Sequence, residues 1–206
     1  MRPVLRRLAL VTLVISPIGL GACASTPSRF YILNTLSASE TIPGTAAAQG
    51  PVIGVGPITL LKYLDRPQIV TRSGRDQLAL GEFDRWAEPL QDNVLRVLAE
   101  NLASLIPTDQ LLLHAWPQSA TLDYQVTVDM LQFDGWLGGE SMLLALWSVL
   151  DGAELPLLSQ RAFLNVPVGR GNYDAMVSAM SELLARLSRD IAVAIQHLAS
   201  RVVAHE

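Results

Sequence analysis

The sequence contains a single cysteine, and this scarcity already limits the kind of protein it encodes. Because Cys23 is the only thiol among 206 residues, no internal disulfide can form. Only 17% of the residues are charged, 50% are apolar and the mean hydropathy is +0.32, a composition that excludes intrinsic disorder. Beyond the N-terminus no apolar run reaches about 18 residues, which excludes a protein with several membrane-spanning helices.

Basic residues are also few. The sequence has 15 Lys and Arg against 19 Asp and Glu, which gives a net charge of −4 and a pI near 5.4. Proteins that bind nucleic acid need a basic surface to neutralise phosphates, so no nucleic-acid partner is predicted. The length fits one domain of ordinary size, at roughly 150 residues for a domain.

Motifs for the common kinds of catalysis are missing from the sequence. The three histidines, His114, His197 and His205, have neither H-x-x-x-H nor Cys/His spacing, so no metal site is predicted. Residues 54–57 (Gly-Val-Gly-Pro) would cradle a phosphate poorly because proline has no N–H, and we expect a twisted or bulged strand there. The sequence predicts no cofactor, no catalytic residue and a protein that is not an enzyme.

Residues 1–22 have the organisation of an export signal. Three arginines (Arg2, Arg6, Arg7) precede the apolar residues 8–20, a stretch too short to span a bilayer. Residues 20–23 (Leu-Gly-Ala-Cys) then look like a bacterial lipobox, in which the cysteine receives acyl chains such as palmitate and becomes the new N-terminus. We therefore predict a signal peptide over residues 1–22 and lipidation of Cys23.

After cleavage, residues 23–28 are expected to form a lipidated tether and residues 29–206 the domain. By resemblance to lipoprotein sorting signals, Ala24 favours passage to the outer membrane. The mature chain keeps 12 basic residues against 19 acidic ones, a charge of about −7, so its overall charge opposes binding to an anionic membrane. The lipid anchor is therefore expected to hold the protein at the periplasmic face of the outer membrane.

The first half of the mature chain has the pattern of short β-strands. Residues 29–36 are β-prone, residues 51–58 are apolar, and residues 68–72 and 77–80 flank the turn of a hairpin. Apolar and polar residues then alternate from 121 to 130, which predicts a strand with one buried face. The parity of this alternation changes at Leu131, so a bulge is expected near Met130.

Two stretches have helical periodicity. Leucine and valine recur every three or four residues between Glu88 and Pro107, and a similar stripe runs from Met176 to Leu198 after a start signal at residues 171–172. The predicted fold is a single α+β domain, with a mostly antiparallel β-sheet and two long helices packed on one face.

The apolar run at residues 141–150 leaves two interpretations open. A buried helix would accommodate it. The turn signals Gly138-Gly139 and Asp151-Gly152 favour instead a central strand covered on both faces, with residues 160–166 returning beside it.

Large side chains in two connecting segments provide the candidate site. One segment lies between the second and third predicted strands, and the other, residues 83–86, comes just before the first helix. Either Tyr63, Leu64 and Trp86 fold back onto the core, or the group forms an exposed patch that binds a partner. The candidate partner-binding residues are Leu61, Tyr63, Leu64, Asp65, Arg66 and Trp86.

Segments spread over the mature chain resemble the ABC-type transport auxiliary lipoproteins, a family that includes PqiC-like lipoproteins. The segments are residues 30–33, 55–60, 63–70, 86–90, 101–102 and 173–176. The resemblance implies a non-enzymatic part of an intermembrane lipid transport system, in which an inner-membrane permease or ABC transporter works with an MCE-domain protein that spans the periplasm. The lipoprotein would receive or steady the far end of that protein at the outer membrane.

The same resemblance makes residues 61–68 and Trp86 the best candidates for the interface with the MCE-domain protein, and it is compatible with a homo-oligomer. A second function stays open, that of a structural envelope lipoprotein or a periplasmic enzyme acting alone. Capture of an MCE-domain protein would discriminate between the two.

Overall fold

The structure, a computed structural model, describes residues 26–36, 50–117 and 119–203. The predicted signal peptide and Cys23 lie outside the described residues. Within them the chain forms eight strands and two helices. In chain order these are β1 (Arg29–Tyr31), β2 (Ile53–Leu60), β3 (Gln68–Arg72), β4 (Leu78–Trp86), α1 (Leu90–Leu105), β5 (Leu111–Leu113), β6 (Tyr124–Gly135), β7 (Glu140–Asp151), β8 (Pro156–Pro167) and α2 (Tyr173–Val203).

The larger of two sheets has the strand order β5-β2-β6-β7-β8. α1 packs on β2 and β5, α2 packs on β6, β7 and β8, and the two helices contact each other. Both helices therefore cover the same face of the sheet, and Val126 and Val149, which are paired across β6 and β7, are fully buried beneath them. The prediction of a single α+β domain with two helices on one face is confirmed.

The sheets are mixed, which corrects the expected mostly antiparallel arrangement in one respect. β2 runs parallel to both β5 and β6, and β1 runs parallel to β4, while the remaining pairs are antiparallel. The connection from β2 to β6 passes through β3, β4, α1 and β5. A crossover of this length brings the chain back in its original direction, as parallel pairing requires.

The smaller sheet has the order β1-β4-β3 and contains the predicted hairpin. Its strand β4 continues to Trp86, so residues 83–86 belong to a strand, and their interpretation as a connection before the helix is wrong. β1 ends at Tyr31, short of the predicted Leu36. The strand ends there because the following backbone bonds to a helix instead of a strand: the N–H of Leu33 donates to the side chain of Asn93 at 2.9 Å.

The run at residues 141–150 lies in β7, which confirms the strand interpretation, and β8 pairs beside it as expected. The expectation that β7 is covered on both faces is wrong. Leu143 is fully buried on the helix side, whereas Leu146 on the other side is 44% exposed. The sheet is covered by helices on one face only, so alternate residues of β7 meet solvent.

Bulges occur where the sequence predicted them. The register between β2 and β6 shifts between Val55 and Ile58, and Gly56 there adopts a φ of 116°, which favours glycine. A second shift separates Met130 from Gln132 in β6. At Gly54 a Cβ would come within 2.6 Å of Leu122 Cδ1 and 2.9 Å of the Trp116 ring, so both side chains would have to shift to accommodate a larger residue.

The helices begin where the sequence signals lie. α1 follows Pro89, and the first turn of α2 is capped by Asn172, whose Oδ1 accepts the backbone N–H of Ala175 at 2.9 Å. One stripe of α2 enters the core, as its periodicity predicts. The buried members of that stripe are Met176, Met180, Leu183, Leu184, Leu187, Ile191 and Ile195.

Candidate functional site

The connection between β2 and β3, residues 61–67, forms a compact turn. The backbone N–H of Leu64 donates to the carbonyl of Leu61 at 2.9 Å, and the N–H of Arg66 donates to the carbonyl of Leu64 at 2.9 Å. The Leu64 side chain is 2% exposed and packs in the core. Its burial pulls the turn onto the body of the domain, while Leu61 and Asp65 on either side remain exposed.

Tyr63 is fixed by a buried carboxylate. Its hydroxyl donates to Asp134 Oδ2 at 2.7 Å, and Arg72 donates to the same carboxylate through Nε at 2.8 Å and Nη2 at 3.2 Å. Gln132 Nε2 adds a further donor at 2.9 Å. The carboxylate of Asp134 is therefore fully occupied, and it joins the turn, strand β3 of the small sheet and strand β6 of the large one.

The pKa values of Arg72 and Tyr63 are both raised in this cluster. The hydrogen bond with Asp134 raises the pKa of Arg72, so its guanidinium stays charged. Burial is the main cause that raises the pKa of Tyr63, and the hydrogen bond to Asp134 adds to it, so the phenol stays neutral. A charged arginine and a neutral tyrosine that keep these states near neutral pH suit a structural clamp better than acid/base catalysis.

Trp86 ends β4 beside the turn. Its backbone N–H donates to the carbonyl of Pro67 at 2.7 Å, and its side chain is only 5% exposed. Of the two alternatives left open by the sequence, the structure therefore shows Leu64 and Trp86 folded back onto the core, with Tyr63 half-buried. Leu61, Asp65 and the half-buried Arg66 are the candidates that present side chains to solvent.

A pocket of about 320 Å³ lies where the turn meets the start of α1. Its floor and walls are mainly apolar, from Pro67, Trp86, Ala87 and Pro89. Asp65, Arg66 and Glu88 complete the lining. Nε of Arg66 is buried and has no hydrogen-bond acceptor among the described residues. The arrangement can receive an apolar side chain and offer one donor to a polar group beside it.

The negative charge of Glu88 is already engaged. Its carboxylate accepts hydrogen bonds from Asn93 and, at 3.0 Å, from Arg96 Nη2. These two donors, Asn93 first, lower the pKa of Glu88. Among the described residues, Asp65 and Arg66 are the charged groups in the pocket lining without an ion pair to another side chain.

The segment after β1 is held between the two helices. The backbone N–H groups of Asn34 and Leu36 donate to Ser181 Oγ at 3.0 Å and to Asn101 Oδ1 at 2.7 Å. Asn101 also donates to Ser188 Oγ at 3.1 Å. Buried polar residues at otherwise apolar helix positions were the signal that sequence reasoning missed, because it treated the helix faces only by their hydrophobic period.

An ion pair between Arg29 and Asp84 fixes β1 itself. Arg29 Nη2 lies 2.8 Å from Asp84 Oδ1, and the hydroxyl of Tyr31 donates to the same oxygen at 2.8 Å. Burial is the main cause that raises the pKa of Tyr31 to about 12, and the hydrogen bond to Asp84 also contributes. The N-terminal end of the domain is thus fastened both to the small sheet and to the helices.

Within the described part of the chain, no group of three or more His, Cys, Asp or Glu residues is placed to hold a metal ion. His114 packs with its ring edge-on to Trp116, with 5.3 Å between the ring centroids. Neither described helix is both long and apolar enough to cross a membrane.

Comparison with solved structures shows the fold in other proteins. An uncharacterized protein of known crystal structure aligns with a TM-score of 0.67 and 19% identity over 82% of this chain and 99% of its own. A protein from Xanthomonas campestris aligns with a TM-score of 0.63 and 13% identity over 80% of this chain and 93% of its own. Both likenesses are evidence for the fold alone. No curated protein sequence matches the chain.

The sequence itself gives the family. Residues 31–192 match the family described as the ABC-type transport auxiliary lipoprotein component. The match includes the turn at residues 61–67, the pocket beside Trp86 and most of α2. The chain therefore belongs to the ABC-type transport auxiliary lipoprotein family.

Proposed function

We propose that this protein is a non-enzymatic component of an MCE-type intermembrane lipid transport system, anchored by lipid at the periplasmic face of the outer membrane. In this role it binds the MCE-domain protein that spans the periplasm and so connects an inner-membrane permease or ABC transporter to the outer membrane. The observation that carries the proposal is the family match over residues 31–192, which supports an auxiliary role in transport.

The anchor in this proposal is Cys23, lipidated after removal of the signal peptide at residues 1–22. The first described residue, Thr26, follows Cys23 by three positions. A Cys23→Ala variant should incorporate no labelled palmitate and should leave the outer-membrane fraction, because the domain as a whole is acidic. Continued acylation and membrane fractionation of this variant would show that the anchor is elsewhere.

The partner surface in this proposal is the turn and its pocket. Leu61, Asp65 and Arg66 supply exposed groups, while Tyr63, Leu64 and Trp86 hold them in place from beneath. Binding surfaces of this kind concentrate their energy in an apolar pocket with an arginine beside it. A rigid turn also loses little conformational freedom on binding, which favours affinity.

Binding of the purified MCE-domain protein to the lipidated protein tests the surface. We expect the double variant Leu61→Asp/Arg66→Ala to weaken binding by about thirtyfold, which corresponds to ~2 kcal/mol. The matched control is Arg161→Ala, an exposed arginine on β8 in the larger sheet, which should bind normally. If the wild type, the double variant and Arg161→Ala bind with equal affinity, the interface lies on another surface.

The alternative role, a structural lipoprotein or an enzyme acting alone, predicts no binding to an MCE-domain protein at any concentration. Deletion would then leave the MCE-domain protein at its normal abundance and position in the envelope. Loss of its attachment to the outer membrane on deletion, restored by the wild-type chain but not by Leu61→Asp/Arg66→Ala, is the result that our proposal requires.

A further inference from the structure

The small sheet and the residue after β1 expose five large apolar side chains to solvent. Phe30 in β1 is 67% exposed, and Ile32 just after it is 44% exposed. Strand β4 adds Leu78 at 41%, Leu80 at 45% and Phe83 at 39%. We call these five residues the β1–β4 patch. Exposed apolar groups gathered in one small element indicate a contact surface.

Arg85 lies beside Phe30 in the patch. Phe30 is opposite Arg85 in the parallel register of β1 and β4, and Phe83 precedes Arg85 by two residues in the same strand. Paired residues of neighbouring strands point to the same face, so Phe30 and Arg85 lie side by side on one face of the small sheet. Phe83 is exposed next to them, in the bulge that β4 forms between Leu80 and Arg85. Nε of Arg85 is buried and has no hydrogen-bond acceptor among the described residues.

Charge is unevenly distributed over the domain. Residues 26–36 and 61–86, which contain the small sheet and the turn, have six basic and four acidic residues. The remainder of the mature chain has six basic and fifteen acidic residues. The β1–β4 patch therefore belongs to a region with a net positive charge in an acidic protein, which an anionic surface would attract.

The patch is also close to the predicted anchor in the chain. Phe30 follows Cys23 by seven residues, a distance of at most about 25 Å when fully extended. β1 is fixed to the domain through Arg29, Tyr31 and Asp84, so the end of the tether is rigidly joined to the patch. A lipid at Cys23 would keep this side of the domain next to the bilayer.

We propose that the β1–β4 patch lies on the surface of the bilayer, with Phe30 and Phe83 in the boundary between headgroups and acyl chains and Arg85 bound to a lipid phosphate. This inference rests on the lipid anchoring of the proposed function and adds an orientation to it. The anchor keeps the protein at the membrane, and the patch fixes which side faces it. Aromatic rings beside a basic residue suit the interfacial region of a bilayer.

The test uses the lipidated full-length protein, reconstituted in vesicles of phosphatidylethanolamine and phosphatidylglycerol. Acylation occupies the native cysteine, so a new cysteine can be labelled alone with an environment-sensitive fluorophore. The label is placed at Phe30→Cys, at Phe83→Cys and, as a control, at Phe163→Cys. Phe163 in β8 is 61% exposed, close to the value for Phe30, but belongs to the other sheet.

Spin-labelled lipids should quench the fluorophore at positions 30 and 83 at least about twofold more than at position 163. Iodide in the aqueous phase should show the reverse order. Replacement of Arg85 by Gln should reduce quenching by the lipids at position 30, whereas Arg161→Gln should not.

Equal access of iodide to all three positions would overturn the orientation. A second copy of the protein could instead cover the patch. Positions 30 and 83 would then be protected from iodide but not quenched by the lipids, and the protection would disappear when excess vesicles dilute the protein. This result would also overturn the orientation. These results leave the lipid anchor intact. Protein that does not sediment with vesicles would overturn the anchor and the orientation together.

Discussion

The hydroxyl of Tyr63 donates a hydrogen bond of 2.7 Å to the carboxylate of Asp134, a residue 71 positions further along the chain. Arg72 shares that carboxylate, so the turn at residues 61–67 is tied to both sheets at once. This tie fixes the rim of the pocket beside Trp86 before any partner is present. Tyr63, Arg72 and Asp134 therefore support the proposed binding surface, although their side chains need not contact a partner.

Removal of the negative charge at Asp134 should destabilise the protein. In Asp134→Asn the guanidinium of Arg72 loses its counter-charge in a largely buried position, and one hydrogen bond acceptor becomes a donor. We expect a loss of about 2–3 kcal/mol in the free energy of unfolding, less than for a fully buried pair because Arg72 is partly exposed. Urea denaturation followed by circular dichroism measures the change.

Asp129→Asn is the matched control for this experiment. Asp129 lies in the same strand and accepts a hydrogen bond from Thr59 at 2.6 Å, but it is exposed. Its replacement should change the free energy of unfolding by no more than about 0.5 kcal/mol. If the two variants are equally stable, the carboxylate of Asp134 does not join the sheets as we describe.

Alkaline pH should destabilise the protein through its half-buried tyrosines Tyr31 and Tyr63. The pKa of Tyr31 is about 12 in the folded protein, against about 10 in an unfolded chain. Between these values the unfolded chain has lost the proton that the folded protein keeps, so stability falls as pH rises from 10 to 12. Below pH 10 both states are protonated and the contribution of Tyr31 is constant.

Tyr31→Phe should lose less stability than the wild type between pH 10 and 12, although it begins lower because it lacks the hydrogen bond to Asp84. Tyr63→Phe should behave in the same way, since the pKa of Tyr63 is also raised. The measurement is a series of urea transitions at fixed ionic strength. Parallel curves for the wild type and both variants would contradict the assigned pKa shifts.

Asn101 is expected to hold the N-terminal segment in its groove. In Asn101→Ala the backbone N–H of Leu36 and the hydroxyl of Ser188 both lose a partner, which should cost about 1–3 kcal/mol. Hydrogen exchange at the amide of Leu36 should accelerate more than at core strands. The control is Asn165→Ala, whose amide makes one exposed hydrogen bond to Glu140 and should change stability little. Unchanged exchange at Leu36 would mean that other contacts hold the segment.

Periodicity and turn signals were enough to predict most of the fold. The stripe of α2, the hairpin of β3 and β4 and the bulge near Met130 depend on contacts between neighbours in sequence or on a single buried face, and these leave a regular pattern. Parallel pairing leaves no such pattern. The direction of β2 relative to β6 depends on how residues 61–123 fold between them, and no local signal records it.

The candidate site was predicted less well, for a reason visible at Leu64 and Trp86. Large apolar residues outside regular periodic segments look the same in sequence whether they cover the core or await a partner. The turn that carries Leu64 is held by Asp134, which accepts a hydrogen bond from Tyr63 although it lies 71 residues further along the chain. The net charge is a poor guide for a similar reason. It is negative for the domain as a whole, although the region that contains the small sheet is basic.

Trp86 allows the two roles of the site to be separated. Its side chain is almost fully buried, yet it forms part of the pocket wall beside Arg66. Truncation of a buried tryptophan removes much packing surface, so Trp86→Ala should lower the free energy of unfolding by roughly 3–5 kcal/mol. Arg66→Ala removes a half-buried side chain that has no hydrogen bond from its Nε, and it should cost less than about 1 kcal/mol.

The melting temperature and the affinity for the partner are therefore measured on both variants. Binding is measured at a temperature where each variant remains folded. We expect Arg66→Ala to melt like the wild type and bind the MCE-domain protein at least about tenfold more weakly, because its effect is confined to the pocket. Trp86→Ala should melt early and also bind weakly, since the pocket loses its wall. Trp86→Ala that melts early but binds normally while folded would exclude the pocket from the interface, and the partner surface would then have to lie outside residues 61–67.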